Sequence, residues 1–267
     1  MHEHSEPVDI DFIAPRHLAG GGDPAWITVP LHRACGWSHG HDPLMPRVIL
    51  SSPDQRALLR LEPDPDGQWW TLQHAPTEDR PAWYASFSAR TPVEIIASFT
   101  DALTDPTTDP AKPHDPLAPL LGAGWSPAYN LHRLTSPDGT VRVDVHGTTG
   151  TWWIGAGLDA ARPLVWQARF GEHTPEHLIA AFTAALTDPH PVARTGTVLS
   201  LPTLDPDLVT HTRQEVPAQQ VASALEDRVR QLAARHATPA APPVIPPTPV
   251  RRSRPHPLTP LSPHRST

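Results

Sequence analysis

The chain predicts an α+β fold made of one unit used twice: a helix, four antiparallel strands and a second helix. Three observations predict it. Residues 69–106 and 152–189 align at a constant offset of 83 and are identical at 16 of 38 positions. Val141, Val143 and Val145 alternate with Arg142, Asp144 and His146, the period of two expected of a half-buried strand. Thr91-Pro92-Val93-Glu94 and Thr174-Pro175-Glu176-His177 each open a run with helical apolar spacing.

The elements of each unit follow in order. A short helix is expected over residues 26–35 and again over 115–123, each stopped by a glycine, Gly36 or Gly124, that opens a repeated Gly-Trp-Ser. Ser52-Pro53-Asp54 and Ser136-Pro137-Asp138 are turn sequences, with proline preset for the second turn position. The strand after the first turn carries Ala57, Leu59 and Leu61 on its buried side. Trp69-Trp70 and Trp152-Trp153 mark the next strand, and Trp83, Ala85, Phe87 or Trp166, Ala168, Phe170 the last. In the closing helix, Thr91 is read as the N-cap, Pro92 as the first helical residue and Glu94 as the partner in a capping box. Ile95, Ile96, Phe99 and Leu103 form its apolar face, matched by Leu178, Ile179, Phe182 and Leu186, and Asp105-Pro106 and Asp188-Pro189 end the two copies. The first repeat is thus placed at 12–107 and the second at 113–189, with the lobes packed through a pseudo-twofold interface.

Beyond the repeats, 190–213 is read as a linker. Residues 214–237 are read as an amphipathic helix with Val221, Leu225, Val229 and Leu232 on one stripe, able to dock on the body or to pair with a second copy. Residues 239–267 hold ten of the 36 prolines, four arginines and no acid, so 238–267 is expected to be a disordered basic tail on an acidic body of net charge −11. No apolar run is long enough to span a membrane, and the acidic start lacks the apolar stretch of a secretory leader. A lone cysteine, Cys35, precludes an internal disulfide and suits a reducing cytoplasm.

Pro15-Arg16-His17-Leu18-Ala19-Gly20, the Gly-Trp-Ser and Ser-Pro-Asp elements and the string from Thr91 to Leu103 resemble a known family. It is the tandem-repeat family of actinomycetes, mainly streptomycetes, filed as domain of unknown function three-one-seven. The resemblance covers residues 15–190 and implies the duplicated architecture. It carries no activity, cofactor or catalytic residue.

Nine tryptophans suggest a stacking surface, but eight of them fall at four repeat-equivalent pairs, which favours core packing. Neighbours in a strand point to opposite faces, so one ring of each Trp-Trp pair turns outward, and Trp70 and Trp153 are taken as the interaction surface. Arg251, Arg252 and Arg254 of the tail are accessory contacts. His39, His41 and Asp42 have metal-ligand types, yet without further ligands at a defined spacing they make a weak site. No catalytic motif is present, and no cofactor is expected. The reading is a non-enzymatic cytoplasmic interaction or adaptor protein with an unidentified protein partner. An enzyme with its pocket in the inter-repeat cleft is the first alternative. A nucleic-acid-associated protein acting through the tail is the second, disfavoured by the acidic body.

Overall fold

A computed structural model describes residues 7–40, 47–62, 67–109, 112–128, 131–159, 162–196 and 200–237. The first repeat runs through α1 (Ala25–Arg33), β2 (Ser38–Gly40), β3 (Val48–Ser51), β4 (Ala57–Leu61), β5 (Gln68–His74), β6 (Trp83–Ser88) and α2 (Val93–Thr104). The second repeats this order as α3 (Ala118–Gly122), β7 (Ser126–Ala128), β8 (Arg133–Thr135), β9 (Val141–His146), β10 (Thr151–Ala156), β11 (Trp166–Phe170) and α4 (Glu176–Leu186). Among the described residues each repeat therefore contributes five strands, not the expected four. The additional one follows the Gly-Trp directly and is three residues long, too short to show a period of two.

The two repeats form one ten-stranded antiparallel sheet, ordered β2-β3-β4-β5-β6-β11-β10-β9-β8-β7. At the seam Phe87 pairs with Ala168, Ser86 with Arg169 and Ala85 with Phe170. Under the offset of 83, each pair maps onto its mirror, with Ser86 and Arg169 on the pseudo-twofold axis. The isologous contact of a symmetric dimer is thereby built into one chain.

One face of this sheet carries the core. Trp70, Leu72, Trp83, Ala85 and Phe87 of the first repeat, and Val141, Val143, Ile154, Trp166, Ala168 and Phe170 of the second, are buried together with the apolar faces of α2 and α4. Four phenylalanines meet across the seam. Phe87 stacks on Phe182 at 5.7 Å and Phe170 on Phe99 at 5.5 Å, a symmetric exchange in which each strand ring sits on the other repeat's helix. Edge-on contacts between Phe87 and Phe99, at 5.7 Å, and between Phe170 and Phe182, at 5.1 Å, close the quartet.

The repeated sequence signatures have physical causes. Ser52 Oγ donates to Asp54 at 2.6 Å and accepts from the Ala57 N–H at 2.8 Å, which folds the turn back onto the strand it precedes. Ser136, Asp138 and Val141 repeat these bonds. Gly36 and Gly124 have φ of 69° and 79°, the left-handed conformation that ends a helix without a Cβ clash. The capping box expected at α2 is not formed. Pro92 is extended and occupies the cap position, the helix starts at Val93, and the Thr91 hydroxyl is buried without a partner among the described residues. Glu94 turns instead to Arg194, which binds it through two nitrogens at 2.5 and 2.8 Å.

The stretch read as a linker is partly regular. Here β12 (Val192–Thr195) and β13 (Thr210–Pro217) flank β1 (Pro7–Ala14) in a three-stranded antiparallel sheet. Sequence periodicity misses it because β13 is exposed along nearly its whole length and so carries no alternating apolar pattern. The helix expected over 214–237 begins later, as α5 (Ala218–His236), since β13 runs to Pro217. It packs on α1, burying Val229 and Leu232. Arg228 anchors it by donating to Asp101 at 2.8 and 3.0 Å and to the Trp26 carbonyl at 2.8 Å. The residues of the proposed basic tail, Arg251, Arg252 and Arg254 among them, lie outside the described residues.

Candidate interaction surface

Side chains on the second face of the large sheet alternate with those of the core, and this face holds the largest exposed rings of the described residues. Trp69, Tyr84 and Trp153 are 42, 47 and 40 % exposed. A single row crosses all ten strands there: Gly40, Ile49, Arg60, Thr71, Ser86, Arg169, Trp153, Asp144, Arg133 and Ala128, each register partner of the next.

The outward position of Trp153 matches the sequence reading, whereas that of Trp70 does not. Trp70 is 2 % exposed and belongs to the core, and Trp69 is the outward ring of the first repeat. The cause is a β-bulge between Gln68 and Trp70, where the pairing of β5 with β6 skips a residue. Trp70 opposes Phe87 as Trp152 opposes Phe170, so the structural equivalent of Trp70 is Trp152 even though the gapless alignment sets it on Trp153. A one-residue shift exchanges the faces of a strand.

The rings are held by their neighbours. The Arg169 guanidinium stacks over Trp153 at 4.6 Å from the ring centroid and donates to Gln167 Oε1 at 3.1 and 3.3 Å. His146 meets the same indole edge-on at 6.3 Å. Tyr84 lies over Gly171, where a Cβ would come within 2.5 Å of the ring, so glycine is required for that ring position. Gln68 is buried beside a small pocket at the ends of β5, β6 and β11 that Ser88, Arg90 and Leu164 also line. Its Nε2 donates to Ser88 at 3.2 Å, while its Oε1 has no partner among the described residues.

Charge is unevenly distributed. The described residues of this face include five arginines, Arg47, Arg60, Arg133, Arg142 and Arg169, and two carboxylates, Glu62 and Asp144. Glu62 is shared by Arg47 at 3.3 Å and Arg60 at 3.5 Å, and Asp144 binds Arg133 at 2.5 Å. Within a chain of net charge −7, the described side chains of this face thus sum to +3. Composition conceals this, because the sign is set by which arginines share a face.

Other polar groups are engaged in holding the fold. His17 is buried and its Nε2 lies 3.0 Å from Asp138 and 2.9 Å from the Thr140 hydroxyl. Burial would raise the Asp138 carboxyl, but hydrogen bonds from His17, Ser136 and the Thr140 N–H outweigh it and hold the group well below the usual carboxylate range. Asp11 is lowered by its hydrogen bond from Arg213. Burial pushes the Cys35 thiol up, the direction of an unreactive cysteine. A cleft of about 1010 Å³ lies between the small sheet, α5 and the start of α2, and includes Trp26, Glu94 and Arg194. The expected inter-repeat cleft is filled by the seam ladder and the phenylalanine quartet. His39 is exposed on β2, while His41 and Asp42 lie outside the described residues. Among the described residues no three His, Cys, Asp or Glu side chains converge as a metal site would require, and no helix is long and apolar enough to cross a membrane.

Residues 51–108 and 135–192 each match the family described as SPDY: Domain of unknown function (DUF317). No curated protein and no solved structure matches the chain.

Proposed function

With two SPDY domains in one chain as the premise, we propose that the protein is a non-enzymatic interaction scaffold that docks a protein partner on the second face of its ten-stranded sheet. The observation that carries this reading is the grouping of Trp69, Tyr84 and Trp153 on the sheet face opposite the helices. Large exposed aromatics gathered on one surface are typical of association sites, where rings are enriched and contribute disproportionately to affinity. A second support is that the duplication makes this face continuous across both repeats, so one partner can span the seam. The C-terminal helix is not the preferred contact, because its buried Val229 and Leu232 are used against α1.

The test is affinity purification from the native cell with the full chain and with Trp69→Ser/Trp153→Ser. The wild-type chain should retain one stoichiometric protein that the variant loses while melting at the same temperature. Equal recovery by both would remove the sheet face from the account. A third bait ending at residue 237 separates the tail's contribution. Cutting at 190 would delete β12 and β13 and unfold the small sheet.

A further inference from the structure

We infer that the segment docked on this face is acidic and extended, its carboxylates held by Arg169, Arg142 and Arg60 across the seam. The inference rests on the scaffold reading above and adds the chemistry of the partner. Charge complementarity points to an anion: the described side chains of the face sum to +3 within a chain of net −7. Arg142 is exposed with no partner among the described residues. Arg169 is the most prepared of them. Its plane is fixed on Trp153 and its Nε and one Nη are held by Gln167, leaving the other Nη without a partner among the described residues. A guanidinium ordered in this way binds a carboxylate with little further loss of rotamer freedom. The Gln68 pocket, between the ends of β5, β6 and β11, adds an acceptor unpaired among the described residues and the Arg90 cation, suited to an N–H or hydroxyl beside a further acid.

The same details disfavour a single-stranded nucleic acid. Base stacking needs a free ring face, and on Trp153 one face is taken by Arg169 and the edge by His146, while Tyr84 packs against Gly171. A net of +3 is also a small footprint for a phosphate backbone.

The experiment measures binding of a labelled peptide alternating glutamate and leucine to the full chain, by anisotropy, against a lysine–leucine peptide and an oligothymidylate of equal length. The acidic peptide should bind, more weakly as salt rises, and Arg169→Glu should weaken it by about tenfold or more. Arg142→Glu should weaken it further, and Arg169→Lys should restore only part of the affinity because lysine lacks the planar fork. Circular dichroism melts confirm that each variant is folded. No binding of the acidic peptide, binding indifferent to Arg169→Glu, or tighter binding of the oligothymidylate would overturn the inference. If the native partner depends on Trp69 and Trp153 but not on Arg169 or Arg142, the scaffold reading stands and the acidic segment is refuted.

Discussion

The two repeats are alike where they meet and different where they are held from outside. Their seam is symmetric down to paired residues, with Phe87 and Phe182 answering Phe170 and Phe99. The first repeat is clasped by α5, through Arg228 on Asp101 and Arg33 on Glu226. The second is clasped by the segment before α1, where Arg16 binds Asp188 at 2.6 Å, His17 binds the Asp138 turn and the Trp166 indole donates to the His17 carbonyl at 2.8 Å. The duplicated sequence thus encodes a shared core, and unique segments at the two ends of the chain give each copy its own lock. The difference teaches that equivalent core positions should be interchangeable in energy while equivalent surface positions should not.

The largest effect is expected at the quartet. Phe87→Ala and Phe170→Ala should each cost about 3–5 kcal/mol in chemical denaturation, because each removes a fully buried ring from a shared core. Unequal costs would break the symmetry argument, and two separate transitions would show that the halves fold independently.

The clasps come next. Arg228→Ala leaves Asp101 without its fork and should cost about 2 kcal/mol. His17→Ala should cost about as much by stranding the Thr140 and Asp138 bonds. Exchange of backbone amides should place the first loss in α5 and the second in the β8–β9 turn.

Acid separates the two Ser-Pro-Asp turns. Asp138 is depressed below its ordinary value of 3.8, so the stability it contributes is complete above that value and is lost as pH falls below it. Asp54 is also lowered, chiefly by its bond from Ser52, and His74 acts on it through charge alone, without the hydrogen bond that His17 gives Asp138. Asp138→Asn should therefore flatten the acid limb of the stability curve more than Asp54→Asn does. Equal flattening would show that His17 adds nothing.

The smallest effect is a gain. At the same turn position Gly139 has φ of 72° and Gln55 has φ of 60°, a region that disfavours residues with a Cβ. Gln55→Gly should raise stability by up to about 1 kcal/mol, offset in part by the freedom glycine adds to the unfolded chain and by loss of the Gln55 bond to the Ser52 carbonyl.

Much of this architecture was legible in the sequence because a repeat reads a fold twice. Trp83 and Trp166, the same ring at equivalent places in both copies, read as core positions, and both are buried. What escaped has physical reasons. The bulge at Gln68 moves one residue out of register without changing the Trp-Trp spelling, which put Trp70 in place of Trp69 on the outer face. β13 escaped because an exposed strand has no apolar rhythm, and Glu94 because its partner Arg194 lies 100 residues away. The cationic patch depends on register across ten strands, which composition and local spacing do not encode.

Radical footprinting of side chains in the full chain, with and without the bound partner, tests the central claim most directly. Protection should fall on Trp69, Tyr84 and Trp153 and leave Trp26, in the cleft beside α5, as reactive as before. Protection of Trp26 with the three sheet rings unchanged would move the binding site to that cleft and contradict the account.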